Sequence, residues 1–95
     1  MSSDYEAIRA NMQKALADFL WAELDSGKTV VNAALLVKEA GSTDYFVQAK
    51  RHSAQALENV KKFVGQLKDT GTRVAMQDQV AELERMISSM HNRIP

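Results

Sequence analysis

Apolar side chains recur every third or fourth residue along most of the 95-residue chain, the spacing that places them on one face of a helix. In the first segment Tyr5, Ile8, Met12, Ala15, Leu16, Phe19 and Leu20 form such a stripe. Ser3 and Glu6 precede it at capping-box spacing, and Gly27 offers a C-terminal stop. The spacing predicts a helix over 4–25. A second segment, 29–40, is apolar nearly all round through Val30, Val31, Ala33, Ala34, Leu35, Leu36 and Val37. It reads as a central, well-covered helix, although its β-branched residues also suit a strand.

Gly41-Ser42-Thr43-Asp44 marks a turn and an N-cap. The third helix is expected over 44–67, with Phe46, Ala49, Ser53, Ala56, Leu57, Val60, Val64 and Leu67 as its seam. Small residues at 49, 53 and 56 permit close approach of a neighbouring helix. A break at 68–72 precedes a fourth helix over 73–90. There Met76, Val80, Leu83, Ile87 and Met90 recur at four, three, four and three, a short heptad seam. Residues 91–95 read as a short flexible tail. The expected fold is all-α: one domain over 1–95, a small antiparallel bundle or helix-hairpin stack of about four helices.

Composition agrees. Apolar residues make up 45% of the chain and charged residues 25%, and the single Pro is Pro95, so no proline interrupts a helix. A chain of this size buries a modest core, which makes association a natural way to bury more. There is no Cys, which removes disulfides, thiolate chemistry and Cys-based metal sites. The first residues lack the layout of a signal peptide, and no apolar run approaches a membrane span. A cytoplasmic location without membrane contact is the resulting expectation.

The net charge is zero, but it is not evenly spread. Residues 1–48 carry seven acids and four bases, while 49–95 carry five acids and eight bases. This suggests complementarity within the chain, or head to tail between copies, rather than a nucleic-acid footprint.

Candidate chemistry is sparse. Gly27-Lys28-Thr29 matches the end of a phosphate-binding loop, but Ala22 stands where that loop has its first Gly. An amphipathic helix, not a strand, precedes it. It reads as an inter-helix turn, with Ser26 or Thr29 capping the next helix. His52 and His91 are far apart, and His52 has no carboxylate at three or four residues' distance. The carboxylate pairs Asp4/Glu6, Glu23/Asp25 and Glu82/Glu84 point to different helical faces. No Glu-x-x-His of the di-iron bundle type occurs. We therefore expect no catalytic residues, cofactor or metal.

Three features suit binding. The Met76, Val80, Leu83, Ile87, Met90 seam suits self-association, with a homodimer expected. Trp21 suits an anchor for a partner. Lys50, Arg51, Lys61 and Lys62 form a basic patch on the third helix that supports an alternative, a nucleic-acid-associated regulator, although nucleic acid is the weaker expectation.

Residues 35–57 resemble the helix hairpin of tetratricopeptide repeats, with Leu36, Ala49 and Ala56 at three of eight signature positions. Val37, Ala40, Ser53 and Lys61 depart from that signature. The resemblance implies a helix-hairpin geometry; it covers one hairpin only, so the concave peptide-binding surface of a repeat array does not carry over. Trp21 through Val64 also resembles small bacterial helical proteins of unassigned activity. The function expected from the sequence is a non-enzymatic helical interaction module that self-associates.

Overall fold

In the computed structural model, residues 2–38 and 43–92 are described, with side chains over 4–36 and 44–90. All secondary structure among them is helical: α1 spans Ser2–Lys38, α2 Thr43–Phe63 and α3 Thr70–Asn92, with a single 3-10 turn at Val64–Gln66 after α2. The architecture is all-α, with three long helices in place of about four.

The difference lies at Gly27. It stands in the middle of a continuous 37-residue α1 and is buried. A Cβ built there would lie 3.0 Å from Leu83 Cδ2 and 3.5 Å from the Ala56 Cβ. Gly27 is therefore a point of close approach between α1 and both other helices, not a stop. One glycine costs a helix about 1 kcal/mol relative to alanine, which packing on both sides readily offsets. Ser26 caps nothing; its hydroxyl meets His52 Nε2 on α2 at 2.9 Å. The expected capping box and the Gly41–Ser42 turn involve Ser3, Gly41 and Ser42, which lie outside the described side chains, as do His91 and the tail.

Cross-helix pairs fix the directions. Gln13 meets Gln66, Glu23 meets Asn59 and Ser26 meets His52, so α2 runs back along α1. Gln13 holds Lys68, just before α3, while Gly27 sits beside Leu83 well along it, so α3 runs parallel to α1. α1 makes its most extensive packing with α2. Leu20, Leu24, Val31 and Ala34 of α1 enclose the core with Phe46, Ala49 and Val60 of α2, Val64 of the 3-10 turn, and Met76, Val80, Leu83 and Met90 of α3. Ala49, Ser53 and Ala56 are all buried, as close approach requires. Ser53 satisfies its hydroxyl by donating to the Lys50 carbonyl at 3.1 Å.

α3 starts at a well-formed cap. The Asp69 carboxylate accepts from the Thr72 amide at 2.8 Å and from its hydroxyl at 2.7 Å. These bonds, the hydroxyl's first, hold the Asp69 carboxyl below the usual carboxylate range. Arg73 closes the turn by donating to the Leu67 carbonyl at 2.9 Å.

The second apolar segment is less covered than its composition predicts. Val31 and Ala34 are buried, but Leu36 is 79% exposed. No described helix is long and apolar enough to cross a membrane.

Candidate interaction surface

At 1.5 Å per residue α1 is roughly 55 Å long, whereas α2 reaches only about 32 Å. The molecule measures 60 × 19 × 17 Å, so α1 sets its long axis. Its first turns extend beyond the bundle as an arm. Gln13 marks where the arm departs. Its amide nitrogen donates to the Gln66 carbonyl at 3.1 Å, and its amide oxygen accepts from the Lys68 backbone N–H at 2.9 Å. One side chain thereby ties the α2–α3 connection to α1. Nothing in the pattern of apolar positions marked this glutamine, because its partners lie more than fifty residues away.

The apolar stripe continues past this clamp. Leu24, Leu20, Leu16, Met12 and Ile8 are spaced four apart and form one ridge on α1, which Tyr5 extends. Leu24 and Leu20 are buried and Leu16 is half-buried. Met12, Ile8 and Tyr5 are 66%, 57% and 63% exposed. Ala15 and Phe19 beside the ridge are also exposed. Tyr5, Ile8 and Met12 thus face solvent because no other described element reaches them, while Ala15 and Phe19 lie on the outer side of the bundle.

An open crevice of about 310 Å³ lies where the arm leaves the bundle, lined by Arg9, Ala10, Met12, Gln13 and Lys68. Asp4 and Glu6 lie toward the arm's tip, with Arg9 between them and the clamp, while Lys61, Lys62 and Lys68 lie around the end of α2 and the connection, followed by Asp69. Lys61 is paired with Glu84 at 3.2 Å, and Lys62 lies 5.5 Å from the Phe63 ring centroid.

The sequence-derived candidates fall in different places. Met76, Val80, Leu83 and Met90 are buried in the bundle, with Ile87 half-buried against it. The heptad seam is thus occupied within the chain, and a second copy could use it only by opening the core. Trp21 lies at the bundle edge, 37% exposed. Lys50 and Arg51 are three turns from Lys61 and Lys62 along α2, so the four form two separated pairs. Of the tetratricopeptide-type positions, Ala49 and Ala56 are buried and Leu36 faces outward.

Gly27-Lys28-Thr29 lies within a helix, where backbone amides are directed at the preceding turn rather than at a phosphate. The Ser26–His52 pair brings a hydroxyl to an imidazole, a contact that the 26-residue separation hides from a sequence reading. It lies on the exposed surface, with none of the crevice-lining residues beside it. Among the described residues no three His, Asp or Glu side chains come together as metal ligands. Glu23, Glu82 and Glu84 instead engage Asn59, Arg85 and Lys61 separately.

Comparison of the chain with family models, curated proteins and solved structures yields no match.

Proposed function

We propose that this protein is a non-enzymatic helical interaction module that associates with a second copy of itself through the arm of α1. The observation that carries this reading is the continuous ridge from Leu24 to Ile8, buried at one end and exposed at the other. Exposed apolar side chains are ordinary when scattered, but Tyr5, Ile8 and Met12, within roughly 60° of one another around the helix, form a contiguous strip of the kind that another helix covers. Methionine at its centre suits such a contact, being unbranched and adaptable. Removing the heptad seam from the available surface leaves this ridge as the main apolar feature for self-association.

Size-exclusion chromatography with light scattering tests the proposal. The wild type is expected to be dimeric at micromolar concentration. Ile8→Glu is expected to shift it to monomer with helical circular dichroism retained, because Ile8 contributes nothing to the core. A wild type that stays monomeric at high concentration overturns the reading.

The basic residues of α2 are a weaker basis for function. Lys61 is engaged by Glu84, and Lys50 and Arg51 stand apart from Lys62. A nucleic-acid reading requires salt-sensitive binding that Lys50→Glu with Arg51→Glu abolishes, measured by gel shift at low salt.

A further inference from the structure

We infer that the second copy docks antiparallel, each arm lying along the other and each arm's tip reaching the other's α2–α3 connection, in a closed two-fold dimer. This rests on the self-association reading and specifies its geometry.

Three observations favour this occupant and orientation. First, within the bundle α2 lies antiparallel along α1, then ends at Phe63. Below that point the ridge continues through Met12 and Ile8 with no described helix beside it. An antiparallel arm from a second copy takes the place α2 leaves, in the same direction. A two-fold near Ile8 sets Ile8 against its own counterpart and Tyr5 opposite Met12 of the second copy. The contact is isologous, so pairing closes at two chains.

Second, the charges match in this orientation. The tip carries Asp4 and Glu6 on different faces of the helix, and the end of α2 and the connection carry Lys62 and Lys68, with Asp69 turned to its cap on Thr72. Antiparallel docking brings each acidic tip to the other copy's basic end, twice per dimer. In a parallel pair the two acidic tips lie side by side and both basic ends are left out.

Third, the crevice is in the right place. It opens beside Met12, with Lys68 on its wall, where the tip of an antiparallel arm arrives. Tyr5 of the second copy brings an aromatic ring to that opening and a hydroxyl to its polar edge.

The test uses unmodified protein. Equal amounts of ¹⁴N- and ¹⁵N-labelled chains are mixed, allowed to exchange and treated with a zero-length carbodiimide cross-linker, then digested for mass spectrometry. Mixed-isotope peptides joining Asp4 or Glu6 to Lys62 or Lys68 are expected. A companion pair of variants reads the same contact. Asp4→Lys with Glu6→Lys is expected to weaken the dimer by tenfold or more. Adding Lys62→Glu and Lys68→Glu to the same chain is expected to restore it. A dimer that gives no such mixed-isotope link, or no charge-swap rescue, overturns the antiparallel geometry and leaves self-association standing. A monomer by light scattering overturns both.

Discussion

Gly27 shows how a residue's meaning depends on its neighbours. In the sequence it follows an amphipathic run and precedes Lys-Thr, so it reads as a stop. In the fold its missing side chain makes room for Leu83 and Ala56. Two opposing quantities set the effect of Gly27→Ala. Helix propensity favours alanine by about 1 kcal/mol. Overpacking against a fully buried leucine costs about 1–3 kcal/mol. We expect a net loss in the wild type. In a Leu83→Ala background, itself destabilised by about 2–5 kcal/mol, the obstruction is gone and Gly27→Ala should become stabilising. Urea denaturation of the four proteins checks this change of sign. Asp69 gives a second residue-scale test. Its carboxyl is held below the ordinary range by Thr72 only when α3 is folded. The stabilisation is therefore full above the ordinary carboxylate pKa and disappears as pH falls through the lowered one. Asp69→Asn keeps a capping oxygen but has no charge to lose. Its melting temperature should fall less steeply than that of the wild type on acidification below pH 4, measured by circular dichroism.

At the scale of elements, legibility followed burial. The seams of α2 and α3 were readable because each is covered along its length. Phe46, Ala49, Ser53, Ala56 and Val60, like Met76, Val80 and Leu83, all reach the core. What periodicity could not reveal was the agent of covering. Tyr5, Ile8 and Met12 have the same spacing as the buried residues, yet α2 ends before reaching them. The boundary at residue 27 was misplaced because local propensity is weak beside packing from two helices. Gln13 and the Ser26–His52 contact were invisible because hydrogen bonds between helices leave no periodic signal. The clamp has a measurable role. Gln13→Ala should leave the bundle folded but speed hydrogen exchange at the Lys68 amide, which loses its acceptor. Exchange at Val31, in the core, should be unchanged. Equal acceleration at both positions would mean that Gln13 supports the whole bundle rather than the connection.

For the molecule as a whole, shape and charge bear on the same question. A compact chain of this length has a radius of gyration of about 12 Å, whereas this one has 16.4 Å. The excess comes from a helix that outruns its bundle, an arrangement that exposes backbone and apolar side chains to water without return inside a single chain. Two copies joined through their arms cover those side chains while keeping both bundles intact. The acidic tips and basic connections are surface groups, so their attraction is screened as salt rises, whereas contact along Ile8 and Met12 is not. Dimer affinity should therefore fall between 50 mM and 500 mM NaCl yet remain measurable. The variant with Asp4→Lys and Glu6→Lys should show the opposite trend, strengthening as salt screens its repulsion from Lys62 and Lys68. Sedimentation equilibrium at the two salt concentrations distinguishes these slopes. Parallel slopes for the two proteins would place the acidic tip away from the basic connection, whatever the strength of association.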